Sequence, residues 1–383
     1  NNYAILNIPT TPPMSYDVII TQNSFSANAG SSSKIRFAGE AETNRWRNIL
    51  CNELKFHIAN MSNYIGSVIT YHSDRSIYAR RIALSDDDWE ITIDGVENID
   101  TLIEDLRQDG GFAITHVGTL RHRNGLPFKV TEGLKQLKAL GFFLSFVEGS
   151  WRCPVLLVGT YNGEIVFRDL SGNTRIDPWK GRWRWSTKEA RYLDDVYKGF
   201  ISKWQDPNWR GPIAEIIELY VRANTYPTVE LSVLDSFTAL DCLASAYSLD
   251  NVKNGYERIR QALSKGGLDN RNPPKDLYDI YDRFYKNNCP TWKRADSATI
   301  LADFRHGVVH GDKNVELGKL AKWNRPKLFD DRDPNNPPVP PEIKTEAENL
   351  GLWCVEVSLL KLFGYMGHYN DRISRVQHVP MPT

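Results

Sequence analysis

Residues 297–310 read SATILADFRHGVVH, and Gly311 follows them. At about 100° per residue, Ile300, Leu301, Phe304 and Val308 fall on one apolar stripe, the pattern of a helix with one face on a core. His306 and His310 stand four residues apart and project from the other side. Arg305 lies about 140° from His310 around the helix and roughly 7.5 Å along it, a gap its long side chain can close. Gly311 is a candidate C-cap, which puts His310 in the final turn. There the carbonyl end of the helix favours a protonated imidazole and brings its pKa toward the range useful for proton transfer.

Outward from this segment, the chain is helical in texture from residue 188 on. Helices are expected at 213–224, with Ile216, Ile217 and Tyr220 on one face, at 228–247 directly after Pro227, and at 254–263, 276–285, 297–310 and 342–363. The last is apolar on nearly all sides over 350–363, as for a central or interface helix. Short connections between such helices indicate a bundle, interrupted by a surface loop at 324–341 that is rich in Pro, Asp and Asn. Before residue 186 the chain reads mainly as β. Strands are expected at 3–8, 17–21, 34–37, 64–71, 89–93, 113–120, 154–160 and 164–168. The last two flank Tyr161, Asn162 and Gly163, and an Asn-Gly pair there signals a hairpin. One helix, 131–146, interrupts the strands, with Leu134, Leu137, Leu140 and Phe143 at helical spacing. The expected fold class is α+β: a β-rich N-terminal domain over 1–195, then an all-α helical bundle over 196–383.

A chain of 383 residues is long for one core, and domain size makes two domains the expectation. Hydrophobic content of 41% beside 25% charged residues is that of a globular protein. No apolar run approaches the roughly 20 residues of a bilayer span, and the first residues lack the basic-then-apolar pattern of a secretory leader. Cys51, Cys153, Cys242, Cys289 and Cys354 are odd in number and widely spaced, with no C-x-x-C pair. That pattern disfavours a disulfide framework and a cysteine zinc site, and suits a reducing cytoplasm. Lys plus Arg and Asp plus Glu balance at 47 each, with 24 of each from residue 201 on. A general nucleic-acid coat is therefore not expected, whereas a local basic cleft is compatible with the balance. No phosphate-binding glycine loop, dinucleotide fingerprint or G-x-S-x-G elbow occurs, so no cofactor is expected.

The stretch DFRHGVVHGD, residues 303–312, resembles the R-x4–6-H signature of HEPN ribonuclease domains, with Arg305 and His310 as its ends and His306 as the polar residue after the arginine. The segment LSVLDSFTALDCLASAY, residues 231–247, resembles the second helix of such domains, where an acidic residue approaches the motif. Asp241 is the candidate for that role, with Asp235 behind it, to orient Arg305 or His306; a solvent-facing helix carboxylate is the alternative. The resemblance covers roughly 200–370 and implies a HEPN-like bundle acting as a metal-independent endoribonuclease. It is similar to the larger HEPN proteins of prokaryotic abortive-infection and toxin systems, whose second domain senses or restrains. The chemistry suits the residues: an imidazole can serve as base for the ribose 2′-OH and as acid for the leaving oxygen, and a guanidinium can stabilise the phosphorane. HEPN domains usually pair, so the resemblance implies a homodimer, with RNA as substrate and a trigger or antitoxin as a further partner. A solvated helix end without chemistry remains the competing reading of the two histidines. Zinc binding by them lacks the glutamate of H-E-x-x-H and a third ligand. The rival function is a non-catalytic protein binding nucleotide, RNA or a partner protein through the same cleft.

The run RIDPWKGRWRWSTKEAR, residues 175–191, carries six basic and two acidic residues with Trp179, Trp183 and Trp185 interleaved. Cations beside aromatics can hold single-stranded RNA by phosphate contact and stacking, which makes Lys180, Arg182 and Arg184 candidate RNA-binding residues. Trp183 and Trp185 also alternate with Arg182 and Arg184, as in a strand with one buried face. The N-terminal domain is expected to sense a trigger or to position RNA.

Overall fold

The computed structural model describes residues 3–8, 14–19, 48–70, 77–170, 175–181, 183–225, 228–252, 254–268, 279, 296–310 and 341–382. Strands β1 (Tyr3–Ile8) and β2 (Met14–Ile19) form an antiparallel ribbon. The middle of the chain supplies β3 (Leu50–Cys51), β4 (Glu53–Ala59), β5 (Ser67–Thr70), β6 (Ile77–Ser85), β7 (Trp89–Gly95), α1 (Ile99–Asp109), β8 (Ile114–His122), β9 (Phe128–Lys129), α2 (Val130–Glu148), β10 (Val155–Tyr161) and β11 (Glu164–Asp169). There follow α3 (Arg191–Gln205), α4 (Pro207–Thr225), α5 (Val229–Ala246), α6 (Gly255–Lys265), α7 (Ser297–His310) and α8 (Pro341–Leu362). The hairpin β12 (His368–Asp371) and β13 (Val376–Pro380) closes the described chain.

Seven strands build one antiparallel sheet in the order β11-β10-β4-β8-β7-β6-β5. Alternation decides which face is covered: Leu54, Phe56 and Ile58 of β4, and Ile91 and Ile93 of β7, are buried at every second position. Phe56 faces Gly118 across the β4–β8 register, where a Cβ would run into its ring. Helix α2 lies on this apolar face, with Gly133 close against Leu54 and Phe128. Its opposite side packs on the helices that follow. Phe143 meets Tyr197 and Phe200 at ring separations of 5.1 and 5.4 Å, Phe142 meets Trp204 at 5.0 Å, and Phe146 meets Tyr220 at 5.6 Å.

This arrangement corrects the expected fold class. The molecule is mixed α/β, with a large antiparallel sheet in the middle and helices after it, rather than a β-rich domain followed by an all-α bundle. The physical reason lies in α2. The stripe of Leu134, Leu137, Leu140 and Phe143 accounts for one face, but Leu144, Phe146 and Val147 are also buried. A helix apolar on both sides needs a layer on each, so sheet and helices share one buried cluster from Cys51 to Met381.

The Asn162-Gly163 turn is present, with both residues at positive φ (50° and 87°) between antiparallel β10 and β11. The expected strand at 34–37 lies outside the described residues, as do all but residue 279 of the expected helix at 276–285 and all but Pro341 of the expected loop at 324–341. Strands β4 and β6, helices α1 and α3 and the final hairpin were not expected. Among the described residues no helix is long and apolar enough to cross a membrane.

Candidate functional site

Helix α7 runs through His310 as expected. Arg305 is half-buried, and its guanidinium carbon sits 5.6 Å from the ring centroid of Phe237 on α5, a cation–π contact. The side chains of His306 and His310 lie outside the described residues. Asp241 is 41% exposed and forms an ion pair with Arg258 at 3.1 Å, and buried Asp235 is held by Arg222 at 2.6 and 3.0 Å. The two carboxylates named as orienting groups thus pair with arginines of α6 and α4. Arg182 lies outside the described residues.

Lys180 and Arg184 do come together, in a cleft of about 240 Å³ at the C-terminal end of α2. Its floor is Glu148, the last residue of α2, with Ser62 and Ser186 beside it. Its wall is the irregular segment carrying Trp179, Lys180, Trp183 and Arg184, with Lys188 at one end. Arg107 from α1, Arg152, and Asn370 and Gln377 from the closing hairpin complete the rim. The segment is not the strand that its Trp–Arg alternation suggested. Trp185 is nevertheless fully buried, and its indole N–H donates to Phe146 O at 2.9 Å.

Several contacts hold the wall in place. Gly149 ends α2 in the left-handed conformation (φ 64°, ψ 20°), where a Cβ would collide with the Asn224 amide. Asn224 Nδ2 donates to Gly149 O at 2.9 Å and to Trp183 O at 3.2 Å. Asn370 Nδ2 donates to Ser186 O at 2.6 Å and to Arg184 O at 3.3 Å, while its backbone N–H reaches Trp185 O at 2.7 Å.

The floor is a buried charged network. Tyr64 Oη donates to Glu148 Oε1 at 2.5 Å, and Ser62 Oγ donates to Oε2 at 2.8 Å. Arg184 approaches Glu148 at 3.6 Å and bonds to Ser62 Oγ. Burial alone would raise the Glu148 carboxyl, but the Arg184 and Arg152 guanidiniums and the two hydroxyl donors hold it below the usual carboxylate range. Glu148 and Arg184 are therefore both charged. A carboxylate in the last turn of a helix opposes the helix dipole, and Glu148 holds that position at the end of α2.

Five cations line the cleft (Arg107, Arg152, Lys180, Arg184 and Lys188), against Glu148 as the one carboxylate among the described residues. Glu148 is matched by Arg184, and Arg107 pairs with Glu104 at 3.2 Å. Lys180 and Lys188 form no ion pair among the described residues. The indole nitrogens of Trp179 and Trp183 are sealed from water and have no acceptor among the described residues. An indole N–H can only donate, and leaving one buried without a partner costs about 1–3 kcal/mol. The lining thus presents surplus positive charge, the complement of an anion, and its two indoles hold unmet donors out of reach of water. No group of three or more metal-ligating side chains occurs among the described residues.

Residues 47–182 match the family model of the YopA central domain. That span holds the seven-stranded sheet, α1, α2 and the cleft as far as Gly181. Over 336 residues the chain is 26% identical to the SPbeta prophage-derived uncharacterized protein YopA of Bacillus subtilis (strain 168), covering 84% of this chain and 69% of that protein. No solved structure matches. The HEPN resemblance is overturned, since the chain matches YopA and its central domain and no HEPN family. An arginine and a histidine five residues apart at a helix end recur by chance and carry no information about the surrounding fold. What the comparisons establish is similarity to YopA, over its central domain and most of this chain.

Proposed function

We propose that the protein binds single-stranded RNA through the cleft at the end of α2. The observation that carries this reading is the lining itself: two half-buried tryptophans interleaved with cations, with a single carboxylate already neutralised by Arg184. Aromatic faces and lysines together bind single strands by stacking and phosphate contact. At about 240 Å³ the cleft lies below the usual 300–1,000 Å³ of drug-sized ligand sites, which suits one phosphate with part of a nucleoside. Fluorescence anisotropy of a labelled ten-nucleotide RNA tests the reading. Wild-type protein is expected to bind it with an affinity that falls as salt rises, and Lys180→Ala with Lys188→Ala to bind it weakly. Equal binding by wild type and the double variant would place the RNA elsewhere.

As a second reading we propose that RNA is cut, without a metal, at the end of α7. The favouring observation is that α7 stays helical through His310, keeping Arg305, His306 and His310 within its last two turns. In this reading His310 transfers protons, Arg305 stabilises the scissile phosphate and His306 assists.

A further inference from the structure

We infer that the cleft takes a phosphate monoester, the terminal phosphate of an RNA end or of a free nucleotide, in preference to an internal phosphodiester. This rests on the RNA reading above and names the part of the RNA that is held.

Charge comes first. Five cations stand against Glu148 and, through Arg107, Glu104, so the lining keeps a surplus of three positive charges, with Lys180 and Lys188 in no ion pair among the described residues. A phosphodiester brings one negative charge, whereas a monoester brings about 1.5 to 2 at neutral pH together with three terminal acceptor oxygens. The monoester is the closer match.

Donors point the same way. Besides the lysines, Trp179 Nε1 and Trp183 Nε1 each lack an acceptor among the described residues. Both are occluded, so a small shift of the indoles must accompany contact with a ligand oxygen. That shift exchanges an unmet buried donor for a charge-assisted hydrogen bond, which is the stronger type. A diester has two terminal oxygens and a chain leaving on both sides; a monoester presents three and a chain on one side. A cleft of about 240 Å³, with α2 as its floor and the hairpin residues Asn370 and Gln377 on its rim, suits the one-sided ligand.

The test is competition against a labelled RNA on the full chain, with tryptophan fluorescence read in parallel. The competitors are one ten-nucleotide RNA in three forms (5′-phosphate, 3′-phosphate, and hydroxyl at both ends) and free 5′-AMP. Expected is roughly tenfold or greater preference for a phosphorylated end over the unphosphorylated RNA, in line with added charge-assisted bonds. The preference should disappear in Lys180→Ala with Lys188→Ala, while circular dichroism shows that variant folded. 5′-AMP competing as well as the phosphorylated RNA identifies a mononucleotide site and supports the monoester. Equal competition by all three RNA forms would overturn the monoester while leaving RNA binding intact. No binding of any RNA, with 5′-AMP still bound, would overturn the RNA reading alone. If neither binds, both are overturned.

Discussion

The guanidinium of Arg372 in the closing hairpin donates to the carboxylate of fully buried Glu356 on α8, Nη2 to Oε1 at 2.7 Å. Tyr220 Oη donates to the same oxygen at 2.8 Å, and Arg372 Nη2 reaches Asn224 Oδ1 at 2.9 Å. Asn224 in turn holds Gly149 and Trp183. One buried chain of contacts therefore runs from the C-terminal hairpin through α8 and α4 to the wall of the cleft.

Removing Arg372 leaves the Glu356 carboxylate without its guanidinium partner in the core. Arg372→Ala is expected to lower stability by about 3–5 kcal/mol, measured by urea unfolding. Replacing Glu356 and Arg372 together with leucines should cost less than the single change, because no buried charge is then left alone. A single substitution as mild as a surface change would contradict this account.

Stability should fall in mild acid because of His116. Burial pushes its imidazole down to about 4, against the opposing pull of Glu148 and Asp94. An unfolded histidine takes up its proton near 6.5, so between 6.5 and about 4 the unfolded chain binds more protons than the folded one. The folded state thus loses on the order of 3 kcal/mol as pH falls through that window. The held-down Glu148 carboxyl adds a further loss below its ordinary range, as it is protonated at still lower pH. His116→Gln should flatten the upper part of the profile in thermal melts recorded from pH 7 to pH 4.

At Gly149 the backbone has positive φ and the Asn224 amide occupies the place of a Cβ. Gly149→Ala should destabilise by more than the roughly 1 kcal/mol of a left-handed alanine, because Asn224 must also release Trp183 O. Differential scanning calorimetry gives the stability change, and RNA anisotropy is expected to show weakened binding at temperatures where the variant is folded.

Lys180→Ala and Lys188→Ala separate the two modes of RNA binding in the cleft. Removing a lysine that neutralises one phosphate should reduce the slope of log K against log salt by about 0.7 for single-stranded RNA. Trp183→Leu should instead weaken binding with the slope unchanged, since stacking releases no counterions. A slope unaltered by both lysine changes would show that neither touches phosphate.

For cutting at the end of α7, RNA cleavage is expected to persist in excess EDTA and to give 2′,3′-cyclic phosphate ends. His310→Ala and Arg305→Ala should each reduce it by about 10²- to 10⁴-fold. Cleavage abolished by EDTA, or undiminished in His310→Ala, would sink this second reading.

The sequence by itself determined the local elements. Period-two runs located β7, β8, β10 and β11, the Asn162-Gly163 pair set a hairpin, and 3.6-residue periodicity located α2, α5, α7 and α8. These signals are short-range and survive without knowledge of neighbours. Strand β4 escaped although it lies between β8 and β10 in the sheet and its Leu54, Phe56 and Ile58 alternate with Lys55 and His57. The basic tryptophan-rich segment at 175–191 was legible as a candidate RNA contact. Its carboxylate floor was not, since Glu148 comes within reach of Tyr64, Ser62 and Arg184 only when α2 is laid across the sheet. Only the tertiary structure decided that sheet and helices share one core and that Asn370, 222 residues after Glu148 in sequence, borders the same cleft. The reason is physical: periodicity records which side of an element is apolar, whereas the partner of that side, and the polar groups trapped between two elements, are chosen by packing over long separations.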